Sequence, residues 1–167
     1  MQINKLQLKV ARTVLNIYMK DLGKIFGVNR FIINRAELGT NNERFLKKYN
    51  NGLLEFFKEN KIIFPDEYTI EYLCNQEKID SLNSNKLLTR FQLRAARCIT
   101  NTRTDHISDQ LFIPYDLITQ NEKLKNSDMI FFKKQDRFER LNRFFIDKGI
   151  EFPKANIIFF KKALDKE

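Results

Sequence analysis

Most routes to site chemistry are closed to this chain by what it has little of. Five glycines are scattered over 167 residues, and none forms a Gly-rich loop of the kind that cradles phosphate. There is one histidine, His106, so no His-based metal site is expected, and it reads as a plain helix residue. The two cysteines, Cys74 and Cys98, form no C-x-x-C and no zinc spacing. They read as unpaired thiols in a reducing compartment. No run of 18 apolar residues exists, which argues against a membrane span. The opening MQINKLQLKVAR lacks the apolar core of an export signal. Acidic residues lie scattered along helix surfaces without a nucleophile–base constellation. Catalytic residues, cofactor and metal are therefore all read as none, and no enzyme is expected.

What the chain does have is positive charge and hydrophobic mass. Lys and Arg outnumber Asp and Glu by 30 to 21, a net charge of +9. That balance suits a polyanionic partner, usually nucleic acid, or an anionic membrane surface. A 43% hydrophobic content with 16 Phe marks a folded chain. The Phe pairs at 56–57, 131–132, 144–145 and 159–160 read as core, not as platforms for stacked bases. The wealth of Asn, Lys, Ile and Phe suits an A·T-rich bacterial or phage genome.

The chain also contains one pattern twice. LQLKVARTVLNIYMKDLGKIFGVNRFIINRAELG begins at Leu6, and FQLRAARCITNTRTDHISDQLFIPYDLITQNEKL begins at Phe91, 85 residues on. Without a gap, Gln7 falls on Gln92, Leu8 on Leu93, Lys9 on Arg94, Ala11 on Ala96, Arg12 on Arg97, Asn16 on Asn101 and Glu37 on Glu122. Farther on, Phe56-Phe57, Ile62, Phe64 and Pro65 match Phe144-Phe145, Ile150, Phe152 and Pro153 at an offset of 88. The second copy therefore carries three extra residues in between. Each copy spans roughly 75 to 80 residues, enough for a small helical core. The domains expected are 1–74, a polar linker at 75–85 (NQEKIDSLNSN), and 86–167.

Local signals place the elements. Leu6, Leu8, Ala11, Val14 and Leu15 form an apolar stripe, predicting a first helix over about 4–16. A second is predicted from Met19 to Phe26, followed by a tight turn at Gly27-Val28. Asn29 caps a third, Arg30 to Leu38, which Gly39 stops. A fourth covers Glu43 to Asn60, with a break expected near Asn50-Asn51-Gly52. Lys61–Phe64 and Tyr68–Leu73, around Pro65, read as two short strands. In the second copy the helices are predicted at 86–100, 105–112, 114–122 and 135–148, the third starting on Pro114. Strands follow at 149–152 and 156–160. The two strand tails are expected to pair across a pseudo-two-fold axis, which would close their open edges. Two short helices joined by a few residues with Gly are a helix-turn-helix signature. The fold class is thus mainly α: two tandem helix-turn-helix units, each with short strands.

LKVAR in the first helix and DLGKIFGVNRFIINRAELG across the second and third resemble the lambda-repressor-like helix-turn-helix family, also called Cro/C1 or XRE-type. The resemblance covers nearly all of both copies and is weaker in the second. It implies that an Arg of the first helix bonds a Glu at the end of the third; Arg12 with Glu37 and Arg97 with Glu122 hold those positions, 25 residues apart in both copies. A fork-shaped guanidinium on a carboxylate would fix distance and orientation together. It also implies that the third helix enters the major groove of DNA. That maps contact to Asn29, Arg30, Phe31, Asn34 and Arg35, where Arg suits guanine, Asn suits adenine and Phe31 a thymine methyl. Of Ile32 and Ile33, at least one is expected in the core.

The family usually has Gln at the first position of the second helix; here Met19 and Thr104 stand there. Lys20 can replace the phosphate contact, whereas its counterpart Asp105 cannot. The second reader has no basic residue, and Asp109 and Asp116 have the wrong sign for phosphate. Tyr115, Thr119, Gln120 and Asn121 are left to hydrogen-bond. Sequence-independent affinity would come from Lys5, Lys9, Arg44, Lys47 and Lys48, then Arg103, Lys123, Lys125, Lys133 and Lys134. Arg137, Arg140 and Arg143 read instead as a solvated row, or one paired with Asp136 and Glu139.

The resemblance implies a cytoplasmic, nucleoid-associated transcriptional regulator that binds an operator as an intrachain pseudo-dimer. Its partners would be double-stranded DNA and, besides, a second copy of the chain or another regulatory protein. The rival reading is a protein-interaction module (an antirepressor, anti-activator or antitoxin) that keeps the fold.

Overall fold

A computed structural model describes residues 1–39, 43–74 and 89–160. The expected linker at 75–85, and the start of the helix expected from Lys86, lie outside the described residues. The chain divides into two compact units, Met1–Leu73 and Cys74–Glu167. It is mainly helical, with short antiparallel strands. Among the described residues the first unit contributes α1 (Lys5–Val14), α2 (Met19–Ile25), α3 (Arg30–Leu38), α4 (Glu43–Glu59), β1 (Ile62–Ile63) and β2 (Thr69–Tyr72). The second contributes α5 (Arg90–Ile99), α6 (Thr104–Leu111), α7 (Tyr115–Glu122), α8 (Gln135–Asp147), β3 (Ile150–Glu151) and β4 (Ile157–Phe160).

The element order repeats, and so does the fine structure. α1 starts with a capping box: the Asn4 side chain accepts from Gln7 N while Gln7 reaches back to the Asn4 backbone. α5 starts with the same box from Thr89 and Gln92. Both glutamines are fully buried. Gln7 Nε2 donates to the carbonyls of Asp66 (2.7 Å) and Thr69 (3.4 Å). Gln92 Nε2 donates to those of Lys154 (2.7 Å) and Ile157 (3.1 Å), the positions 88 residues farther on. The cap residues follow suit: Asn4 Nδ2 donates to Glu67 O and Thr89 Oγ1 to Ala155 O, both at 2.8 Å. In each unit, then, the first helix is latched to the turn of its own hairpin. β1 pairs with β2 (Ile62 opposite Tyr72) and β3 with β4 (Ile150 opposite Phe160).

The core follows the apolar periodicity. Leu8, Val10, Ala11, Val14, Leu22, Ile33, Leu53 and Phe57 are sealed from solvent in the first unit. Phe91, Leu93, Ala96, Ile107, Ile118, Leu141 and Phe145 are sealed in the second. Each such large side chain stabilises by about 1.5–3 kcal/mol over leaving it in water. One Phe of each expected core pair is buried. The exception to the reading is Phe131, which is 66% exposed while Phe132 turns inward.

Three further expectations need correction. α4 runs unbroken through Asn50-Asn51-Gly52. Asn50 accepts from Ile3 N at 2.9 Å and donates to Met1 O at 3.0 Å, so it serves the N-terminal segment instead of breaking the helix. Gly52 packs against the Phe26 ring, which itself meets Phe45, Tyr49 and Phe56 edge-on. Pro114 is the residue before α7, not its first turn. Asn121 does not face outward: it is 4% exposed, and its carboxamide accepts from Phe131 N at 2.7 Å and donates to Phe131 O at 3.2 Å and Leu117 O at 2.8 Å. It clamps the α7–α8 connection, which is longer than the one between α3 and α4. Where it stands, the first unit has the buried Ala36.

Candidate nucleic-acid interface

α2 and α3 meet through a turn that only a small residue permits. A Cβ on Gly23 would stand 2.6 Å from the Val28 carbonyl, whose own amide donates to Gly23 O at 2.8 Å. Gly27 takes a left-handed φ of 63°. Asn29 caps α3, its side-chain oxygen accepting from Phe31 N at 3.0 Å, and Gly39 ends it with φ 74°. Ile33, Ala36 and Glu37 face inward, while Ile32 is half-buried. The outer face is left to Arg30, Phe31, Asn34 and Arg35, of which Asn34 is half-buried and the others exposed.

A charged fork anchors the helix. Arg12 Nε meets Glu37 Oε1 at 2.5 Å and Arg12 Nη2 meets Oε2 at 2.9 Å, a bidentate pair with side chains only 14% and 3% exposed. The third guanidinium nitrogen donates to Ile17 O at 2.8 Å, closing the end of α1 where Asn16 turns left-handed. The second unit repeats this: Arg97 to Glu122 at 2.5 and 3.1 Å, Arg97 Nη1 to Thr102 O at 3.3 Å, and Asn101 left-handed. The four residues to which the resemblance assigns this pairing are thus joined in both units.

A groove of about 620 Å³ runs along the first unit's outer face, lined by Arg12, Tyr18, Met19, Lys20, Asp21, Arg30, Phe31 and Asn34. The Arg30 guanidinium lies 4.9 Å from the Phe31 ring centroid, so the ring orders it outside the core. Tyr18, 76% exposed at the start of α2, also lines the groove and was not singled out by sequence; its only signal is being an aromatic beside an N-terminus. Arg35 is exposed on the same helix. Arg44 and Lys47 stand exposed on α4 instead, Lys47 lining a separate groove with Lys5 and Gln2.

The corresponding face of the second unit is built alike and charged oppositely. Tyr115 is half exposed and Gln120 exposed; Thr119 is partly buried and spends its hydroxyl on Asp116 O at 3.0 Å. Arg103, expected to serve phosphate, is paired with Asp105 at 2.5 Å. The His106 amide and then Arg103 hold the Asp105 carboxyl below the usual carboxylate range. Burial lowers the pKa of Arg94, with Glu122 opposing the shift. On α8, Arg140 pairs with Asp136 at 3.0 Å, while Glu139 accepts from Gln135. Among the described residues no group of His, Cys, Asp and Glu could hold a metal, and no helix is long and apolar enough to cross a membrane. No family model, curated protein or solved structure matches the chain.

Proposed function

We propose that the chain is a sequence-specific DNA-binding transcriptional regulator of two tandem helix-turn-helix units, presenting α3 to the major groove. It acts by binding, without chemistry, on the nucleoid of a bacterial or phage-infected cell. The observation that carries this reading is the outer face of α3. Arg30, stacked on Phe31, projects with Asn34 and Arg35 from a helix whose other side is anchored by Arg12–Glu37, and Lys20 of α2 lines the same groove. A guanidinium ordered before binding loses less freedom when it forks onto guanine O6 and N7. Lys20 and the exposed cations of α4 supply phosphate contacts, which fix register but carry no sequence information. If the two units pair as a pseudo-dimer, one chain spans two half-sites roughly 34 Å apart. Because the two reading faces differ, the operator is imperfectly palindromic.

A footprint on the DNA upstream of the chain's own gene tests this. Two protected patches one turn apart, lost in Arg30→Ala/Asn34→Ala, are the expected result. A single patch would make the second unit structural. Affinity should fall about 10³- to 10⁵-fold between about 50 and 200 mM salt if 6 to 10 phosphates are touched. The acidic α6–α7 face favours the second reading, a module that binds another regulator; no protection and no salt-dependent DNA binding would select it.

A further inference from the structure

The two outer faces are complementary to each other. From Met19 to Leu38 the chain carries four basic residues, Lys20, Lys24, Arg30 and Arg35, and two acidic ones, of which Glu37 is spent on Arg12. From Thr104 to Glu122 it carries no basic residue and four acidic ones, of which Glu122 is spent on Arg97 and Asp105 on Arg103. Asp109 and Asp116 remain, both exposed, and Asp109 stands where the first unit has Lys24. Each face also shows large apolar side chains: Tyr18, Ile25 and Phe31 at 76, 54 and 57% exposure on one, Phe112 and Tyr115 at 80 and 52% on the other.

We infer that the occupant of the α6–α7 face is the α2–α3 face of a second copy of this chain. The helices are the same elements in the same register, so two such faces can meet about a local two-fold axis, each helix against its counterpart. Within that geometry the charges choose the pairing. Two α2–α3 faces would oppose Lys20, Lys24, Arg30 and Arg35 to themselves, and two α6–α7 faces would oppose Asp109 and Asp116. Like charges brought together reject those arrangements, while the mixed contact is attractive. Phe112 and Tyr115 then cover apolar surface that would otherwise face water. Taken with the DNA-binding reading, on which this one consequence rests, the contact hides Arg30 and Phe31, so that free protein at high concentration holds its own reader closed.

Sedimentation without DNA tests the contact apart from that reading. The wild-type chain should associate with rising concentration near about 50 mM salt and return to monomer near about 500 mM, where screening falls within a few ångströms. Lys20→Glu/Lys24→Glu and Asp109→Lys/Asp116→Lys should each weaken association at least about tenfold. The first variant leaves α2–α3 net acidic, with Asp21 and two new carboxylates against Arg30 and Arg35, and the second makes both of its faces net basic. Mixed in equal amounts, they should associate with each other, because an acidic α2–α3 then meets a basic α6–α7. All four positions are exposed, and circular dichroism checks that both variants fold. A wild-type chain monomeric up to about 100 μM at low salt would overturn the inference. So would association indifferent to both reversals, or a mixture that stays monomeric. Failure of the footprint alongside successful mixing would sink the DNA reading and leave this contact standing.

Discussion

Replacing Glu37 by Gln should cost the first unit about 3 kcal/mol, the low end of the range for breaking a buried ion pair from one side. The geometry sets that figure. Glu37 is almost sealed from solvent, takes both arms of the Arg12 fork, and leaves behind a guanidinium that is itself only 14% exposed. Gln keeps the shape but offers one acceptor and no charge, so Arg12 stays buried with only Ile17 O as a full partner. At a urea m-value of about 2 kcal/mol per molar, the unfolding midpoint should drop by about 1.5 M. Because two units need not unfold as one, amide signals of each should be followed separately through the titration. Glu122→Gln provides the internal comparison. Its pair is 23% and 14% exposed, so water screens part of the loss and the cost should be nearer 1.5 kcal/mol. Arg12→Met/Glu37→Leu removes both charges and should recover most of the loss, since replacing a buried pair with apolar groups is often neutral. The reasoning is refuted if that double variant is as unstable as its two single changes summed, or if Glu122→Gln costs more than Glu37→Gln.

Phe112 holds the left-handed conformation (φ 51°, ψ 41°) that Gly27 holds in the first unit, yet its ring is 80% exposed. Phe112→Gly should therefore raise the second unit's stability by about 0.5–1 kcal/mol, visible as a higher Tm; a lower Tm would show that the ring packs in solution. Gln7→Leu deprives the Asp66 and Asn4 backbones of their buried partner and should cost about 2 kcal/mol in denaturant unfolding, with Gln92→Leu behaving alike. Asp105 has a lowered folded-state pKa, so its contribution to stability is present above the unfolded value and fades as pH falls through the folded one. A carboxyl NMR titration should place it below an ordinary Asp. Arg103→Ala should raise it only partway, because the His106 amide is the larger cause.

The parts of this fold readable from sequence are those with local or doubled signals. α3 begins and ends where Asn29 and Gly39 say it should, because caps act on the neighbouring residues alone. The two Arg–Glu pairs were legible because the resemblance assigns an Arg and a Glu to those positions and the same 25-residue spacing occurs twice. α4 was harder: Asn-Asn-Gly weakens a helix in isolation, and the contacts that override it come from Met1, Ile3 and Phe26, far off in sequence. Asn121 misled for a similar reason, since its partner Phe131 lies in a connection longer than that of the first copy. The role of Gln7 and Gln92 was within reach. A buried Gln repeated at the same offset, three residues after a capping side chain, satisfies both the box and the hairpin carbonyls. At the candidate interface, the helix carrying Arg30 was foreseeable, but its stacking on Phe31 and the neutralisation of Arg103 by Asp105 depend on rotamers that no pattern encodes.

The glutamine latch also governs when each unit can become itself on the ribosome. Gln7 waits for a carbonyl 59 residues downstream, and Gln92 for one 62 downstream. Neither first helix can settle on its hairpin until nearly the whole unit has been made, since contacts so distant in sequence close late. The two waits are separate, however. The first unit's latch is complete once Thr69 has emerged from the exit tunnel, while most of the second is still unmade. A chain synthesised at about 5–20 residues per second thus gives the first unit several seconds to fold before a near-copy of its own helices can compete for the same partners.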